Sequence, residues 1–406
     1  MEKIKIGILR EGKTPPDKRV PFTPQQCSKV VNTFSGLEIV VQPSPIRAFS
    51  DEEYQEAGIQ LQEDLSDCDI LMGVKEVNVQ DLIPNKKFLF FSHTIKKQKY
   101  NRHLLQAILN NKIQLIDYEL LKNNDRKRIT GFGRFAGIVG AYNAFYAYGL
   151  KTKRFELKRA KDCFDREEME SELAKVNFEA NTKIVITGFG KVGYGAQEIM
   201  DLIPIMEVGP EEFLTQKFDE PVFTHLETSD YYCRKSDGSF DKSDFYKNPQ
   251  EYISCLHRYI ETADLYMACH FWNNLSPKLL TQEDLKKAKN LKVVADISCD
   301  INDPIASTLR SSTIADPLYG YNAENHVEAD WQLDENIVVM AVDNLPCELP
   351  KESSEDFGNQ LINNILPHLL TGDKDGIIYK GSETTIDGKL NEDYGFLQDY
   401  VDGLNN

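Results

Sequence analysis

The sequence is short of basic charge. Its 406 residues carry 47 lysines and arginines against 64 aspartates and glutamates, a formal net charge of −17 at pH 7. Such a field repels phosphate backbones and anionic headgroups, so sequence-independent binding to nucleic acid or to a membrane surface is set aside. Long apolar runs are missing as well, and no stretch approaches the roughly 20 residues needed to span a bilayer. Residues 1–11 alternate as a strand does and lack the long apolar core of a signal peptide, so a cytoplasmic location is expected. The cysteines at 27, 68, 163, 233, 255, 269, 299 and 347 form no C-x-x-C pair and have no histidine at metal-ligand spacing. Free thiols and no bound metal are therefore expected. No repeat of solenoid period is visible.

What is present is enough apolar material for two cores, since 41% of residues are hydrophobic and 10% aromatic. Strand-like runs at 4–9, 38–42, 70–74, 88–92 and 114–118 alternate with helical stretches such as 24–33 and 100–109. A second series of strands follows at 183–187, 221–226, 263–269, 291–297 and 336–342. Strands alternating with helices predict α/β architecture with largely parallel sheets. Segments 134–150 and 151–178 read as connecting helices, and 352–370 as a helix returning to the first domain. The expected division is 1–140 with 344–406 for substrate and catalysis, and 141–343 for a dinucleotide. Long connecting helices would leave a cleft between the lobes, suited to a two-substrate reaction.

The run Gly188-Phe-Gly190-Lys191-Val192-Gly193 follows an apolar strand and opens a helix. Glycines at 188 and 190 permit a tight turn and a close approach of the backbone to a pyrophosphate, Gly193 permits close helix packing, and the helix start offers amide donors. This context predicts a Rossmann-like nucleotide site. A similar run, Gly131-Phe-Gly133-Arg134-Phe-Ala-Gly137, follows a poor strand and reads as a turn at the cleft; its Arg134 is a candidate substrate contact.

Lys75 and His93 leave the carboxyl ends of apolar strands, where α/β sheets place ligands. A lysine lowered by burial and neighbouring cations, paired with a histidine that titrates near neutrality, can move two protons. Glu76 and Glu119 stand at similar places and can tune or orient that pair. Arg19, Lys96 and Lys97 add local positive charge to an acidic chain, which points to an anionic substrate.

Many ordered segments resemble one family. They include Arg19-Val-Pro-Phe-Thr-Pro, Gly73-Val-Lys75, Phe90-Phe-Ser-His93-Thr, Asp117-Tyr-Glu-Leu, Phe132-Gly-Arg-Phe-Ala-Gly and Ala341-Val-Asp343-Asn-Leu-Pro. From end to end the chain resembles the lysine-ketoglutarate reductase and lysine-forming saccharopine dehydrogenase family, and more distantly alanine dehydrogenase. Segment 151–178 departs from it, being far more charged than the family's small linker.

The resemblance implies two Rossmann-like domains around an interdomain cleft. It also implies interconversion of saccharopine with lysine and 2-oxoglutarate through an imine and a nicotinamide hydride. Lys75 and His93 would be the acid–base pair, with Arg19, Lys96 and Glu119 around the substrate and Asp343 near the nicotinamide. The alternatives are an alanine dehydrogenase-like enzyme or a non-catalytic nucleotide-sensing protein, and a homo-oligomer is compatible with either. Glu227, at the end of the second strand of the cofactor domain, favours NAD because a carboxylate there grips a ribose hydroxyl and repels the phosphate of NADP. Arg234 and Lys235 stand close behind it as the NADP alternative.

Overall fold

Apolar runs of a few residues, bounded by polar turns, become the strands of two main sheets. The computed structural model describes residues 3–301 and 303–404. Met1, Glu2, Asn405 and Asn406 of the expected first domain, and Asn302 of the second, lie outside the described residues. The chain divides into two units, Met1–Phe132 with Pro350–Asn406, and Gly133–Leu349.

In the first unit, Ile4–Ile8 (β1), Leu37–Val41 (β2), Gln60–Leu61 (β3), Ile70–Met72 (β4), Lys87–Phe90 (β5) and Gln114–Asp117 (β6) form one sheet, ordered β3-β2-β1-β4-β5-β6. Every pairing is parallel. Alternation sends Ile6, Ile39, Ile70 and Leu89 to one face, where Phe357 and Leu361 of helix Pro350–Asn364 cover them. Val40, Leu71, Phe88 and Leu115 turn to the other face, against Leu104 and Ile108 of helix Arg102–Asn110. The C-terminal return onto this unit is thus required by its core.

In the second unit, Lys183–Thr187 (β7), Met206–Glu207 (β8), Val222–Leu226 (β9), Leu265–Ala268 (β12), Val293–Asp296 (β13), Leu318–Asn322 (β14), Val327–Ala329 (β15) and Ile337–Met340 (β16) form an eight-stranded sheet. Its order is β15-β14-β16-β13-β12-β7-β9-β8. Only β14 runs antiparallel, to both β15 and β16. A separate two-stranded ladder pairs Tyr232–Arg234 (β10) with Tyr252–Ser254 (β11). Two faces with separate cores make this a doubly wound α/β unit. Helix Lys191–Met200 packs on the face bearing Ile184, Ile186 and Met267, while helix Gln282–Lys287 packs on the face bearing Val185, Tyr266 and Val294.

Four expectations need correction. Residues 134–150 lie in helix Gly133–Thr152, a core element of the second unit, with Ile138, Tyr142 and Phe145 fully buried against its sheet. An apolar helix of this kind cannot serve as a solvated connector. Consequently the division falls at its first residue and at Leu349/Pro350, not at 140/141 and 343/344. Beyond Thr152, segment 151–178 is α-helical only at Arg166–Glu172. Its charges are engaged in cross-links such as Lys158–Glu168 and Arg166–Glu198. Finally, Cys233 and Cys255 form a disulfide, their Cα atoms 6.4 Å apart, because the β10–β11 ladder brings their neighbours into register. Cys27, Cys68, Cys163, Cys269 and Cys299 keep free thiols. Among the described residues no helix is long and apolar enough to cross a membrane.

Candidate active site

The strand order β3-β2-β1-β4-β5-β6 reverses direction between β1 and β4, and open α/β sheets bind ligands beyond the carboxyl ends at such a point. Arg10 and Glu11 follow β1, and Gly73 and Lys75 follow β4. They line a cavity of about 170 Å³ together with Glu76 and Asp81. The Glu11 carboxylate caps the end of β4, accepting the Val74 amide at 2.6 Å and the Lys75 amide at 2.9 Å. Burial, and then the charge of Asp17, push its pKa up to about 8. Lys75 is pushed downward, first by burial and then by the nearby cations Arg19 and Lys13.

Glu76 joins His93 to Lys13. Its Oε1 lies 2.6 Å from His93 Nδ1, and its Oε2 accepts from Lys13 Nζ at 2.8 Å. Burial alone would raise this carboxyl, but the bonds from His93 and Lys13 hold it down at about 2. An ionised carboxylate only accepts, so the proton of the short bond sits on Nδ1, and Nε2 is the ring nitrogen that Glu76 does not engage.

His93 itself has a left-handed backbone, φ 55°, which a non-glycine residue adopts at a cost. Its neighbours are pinned on both sides. Ser92 donates through its amide (3.1 Å) and hydroxyl (2.5 Å) to the buried Asp117, and Thr94 Oγ1 contacts Glu383 Oε2 at 2.7 Å. Asn101 Nδ2 donates to the Ser92 carbonyl at 2.6 Å.

Arg19 is buried and bidentate on Asp17, with contacts of 3.0 and 2.6 Å, and its guanidinium lies 4.1 Å from the centre of the Phe132 ring. Despite burial, which opposes it, the Arg19 guanidinium holds Asp17 well below the usual carboxylate range. Lys96 Nζ lies 3.7 Å from Glu119, which Arg128 also approaches at 3.8 Å. Lys97 donates instead to the Phe396 carbonyl. The first unit therefore brings together Lys75, His93 and Arg19 with Glu76, Lys13 and Glu11. Arg134 belongs to the second unit, where its guanidinium bonds Glu198 at 2.6 and 2.8 Å.

In the second unit the glycine turn fits a dinucleotide. Gly188 has φ +98°, and a side chain on Gly190 would meet nothing within 4 Å. The turn therefore leaves room for a phosphate beside the start of helix Lys191–Met200. A Cβ on Gly193 would strike the Gly188 carbonyl at 1.8 Å, so this glycine closes the turn itself. Helix packing falls to Gly195 and Gly137: a Cβ on Gly195 would meet the Arg134 carbonyl at 2.0 Å, and one on Gly137 the Val192 carbonyl at 1.9 Å. That crossing explains the second glycine run, which lets two helices touch. Val192 packs against the core there. Glu227 is exposed at the end of β9 and precedes helix Thr228–Tyr231. Arg234 is engaged by Asp244 at 2.6 Å, and Lys235 by the Gln250 carbonyl at 2.6 Å. Asp343 is exposed beyond β16.

His225 and His270 were not singled out from the sequence. His225 Nε2 lies 2.7 Å from the Gly188 carbonyl, and Phe189 stacks on its ring at 3.9 Å. His270 follows β12 as His93 follows β5, so the same strand-end rule would have found it.

Two α/β units, each with a reversal beside its first strand, place the chain in the fold class of L-alanine dehydrogenase. A solved structure of that name covers 99% of this chain at TM-score 0.64 and 16% identity, with 100% of that structure's chain covered. The relatives are more specific. Residues 7–139 match the family described as alanine dehydrogenase/PNT, N-terminal domain. The chain is 31% identical over 399 residues to alpha-aminoadipic semialdehyde synthase of Arabidopsis thaliana, covering 88% of this chain and 37% of that protein. It is 24% identical to the NAD(+), L-lysine-forming saccharopine dehydrogenase of Emericella nidulans, covering 89% of this chain and 91% of that one. The chain thus spans well under half of the semialdehyde synthase, and the kinship its motifs carry is borne out.

Proposed function

We propose that the protein interconverts saccharopine with L-lysine and 2-oxoglutarate, with a nicotinamide dinucleotide held by the second unit. The observation that carries this reading is the Lys13–Glu76–His93 bridge beside a half-buried Lys75, because imine chemistry requires two proton carriers next to fixed charge. The names of the relatives and the shared fold support it.

When bound, the cofactor supplies or removes a hydride. The remaining work belongs to the chain. Glu76 keeps the His93 proton on Nδ1, leaving Nε2 to exchange a proton as the carbinolamine loses water. Lys75, lowered by burial and by Arg19 and Lys13, gives up its proton more readily than an exposed lysine and serves as the second carrier. Arg19, held by Asp17 and Phe132, loses little freedom on meeting a substrate carboxylate. Lys96 and Glu119 complete the proposed substrate set. Arg134 would have to leave Glu198 to join them, so we assign it to the fold.

For the cofactor we assign Gly188, Gly190, Lys191, Val192 and Gly193 to the pyrophosphate, Glu227 to the adenosine ribose and Asp343 to the nicotinamide end. NAD is favoured by the acidic Glu227 and by the engagement of Arg234 and Lys235 elsewhere. The test is cofactor oxidation with lysine plus 2-oxoglutarate, compared with pyruvate plus ammonia. Turnover with the second pair alone would replace this reading with that of an alanine dehydrogenase.

A further inference from the structure

The second sheet reverses between β7 and β12. From β7 the chain leaves through helix Lys191–Met200 on one face, and from β12 it continues to helix Gln282–Lys287 on the other. The carboxyl ends of these two neighbouring strands therefore frame the crevice in which such a sheet takes its ligand. Thr187 ends β7 and Ala268 ends β12, paired in register. His270 lies just beyond. Its backbone is so close to the glycine turn that a Cβ on Gly188 would sit 2.7 Å from the His270 Cα.

The His270 side chain is 5% exposed. Its Nδ1 lies 3.1 Å from Thr187 Oγ1, which in turn lies 3.0 Å from the Tyr266 hydroxyl. Its Nε2 is buried and has no hydrogen-bond partner. A buried ring nitrogen without a partner is costly, and chains keep few of them. Burial also drives the pKa of this ring down to about 3, so it is neutral in use. When the Tyr266 hydroxyl donates to Thr187, and Thr187 to Nδ1, the ring proton is left on Nε2. The result is an uncharged donor at the switch point of the cofactor sheet.

We propose that His270 Nε2 donates a hydrogen bond to an oxygen of the ribose–pyrophosphate part of the bound nicotinamide dinucleotide, with Thr187 and Tyr266 fixing its tautomer. A neutral donor suits this place. It is not lost to deprotonation across the physiological range, and it adds no charge to bias the nicotinamide. This contact rests on the function proposed above, and the measurements separate the two.

The 406-residue wild-type chain, His270→Leu and His270→Gln are titrated with NADH, NADPH and ADP-ribose, following fluorescence for the reduced cofactors and heat for ADP-ribose. The wild-type chain should bind a reduced cofactor. His270→Leu should weaken that cofactor and ADP-ribose alike, by about tenfold, as loss of one hydrogen bond predicts. His270→Gln, whose amide can donate from a similar position, should recover most of the loss. Should the leucine variant fail to fold, ¹⁵N-histidine-labelled wild-type protein decides, because the His270 Nε2 resonance must move on adding NADH. Equal affinities in a folded His270→Leu, or an unmoved resonance, would overturn the contact alone. A wild-type chain that binds neither NADH nor NADPH would overturn the dehydrogenase reading and the contact with it.

Discussion

Glu76 is the shared partner of His93 and Lys13, with bonds of 2.6 and 2.8 Å to its two oxygens. The carboxylate therefore does two jobs, fixing which imidazole nitrogen carries the proton and holding a cation beside Lys75. Glu76→Gln keeps the shape and removes the charge. Turnover with lysine and 2-oxoglutarate should fall about 10–10²-fold while NADH affinity stays within twofold. Unchanged turnover would show that the His93 tautomer does not matter to the reaction.

Lys75→Met and His93→Gln are expected to cost more, about 10²–10⁴-fold in turnover each. Their combined loss should fall well short of the product of the single losses, since groups acting on one proton path are not additive. Near-normal turnover in either single variant would remove that residue from the mechanism.

Stability should depend on pH in a direction set by the half-buried Glu11 and the buried Glu383. Glu11 and Glu383 are each raised to about 8, foremost by burial and next by Asp17 and Asp117 respectively. An unfolded glutamate titrates near 4.3. Between about 4.3 and 8 the folded chain keeps protons that the unfolded chain has released, so stability falls as pH rises through this window. Asp17 and Glu76 are shifted the other way, and their contribution is lost only as pH falls below about 4. Urea midpoints should decline from pH 5.5 to pH 8, and Glu383→Gln should flatten that decline. An equally steep decline in the variant would mean that Glu383 is already ionised in the folded chain.

Two glycines seven residues or fewer from Gly188 should respond oppositely to a side chain. Gly190→Val places its methyls in open space and should weaken NADH binding without lowering the melting temperature. Gly195→Ala drives a methyl onto the Arg134 carbonyl and should destabilise the second unit by about 1–3 kcal/mol. Calorimetry beside cofactor titration reads both effects, and intact cofactor binding in Gly190→Val would relocate the phosphate site.

If Glu227 meets the adenosine ribose as proposed, it sets the cofactor choice. Binding of NADH should be tighter than that of NADPH, and Glu227→Ala should narrow the difference by weakening NADH and relieving repulsion of the extra phosphate. A preference for NADPH that this variant leaves unchanged would move attention to Arg234 and Lys235.

Parallel strands buried on both faces are legible because they must be continuous apolar runs, and 183–187 was bounded from the sequence as the structure has it. The polar residues that end those runs were legible for the same reason, which is how Lys75 and His93 stood out. The β14–β15 hairpin escaped because Leu318-Tyr-Gly-Tyr-Asn322 is short and interrupted by glycine. Segment 151–178 misled because Met169 and Leu173 stand four apart as on a helix, yet that helix is short and Leu157 reaches the core from outside any helix. Neither the Cys233–Cys255 pairing nor the Gly137–Gly195 crossing has a local signal, since each depends on which distant segments meet.

The first unit has one further property, visible only when synthesis is considered. Its sheet is complete by Asp117, but one face is covered by Phe357 and Leu361, and Thr94 finds Glu383 only after the entire second unit has been made. During translation, the first 132 residues must therefore wait with an apolar face uncovered, while Gly133–Leu349 can close its own core. The earlier-made half is the later to finish. A chain cut short at Leu349 and released would hold a closed second unit and an unfinished first one.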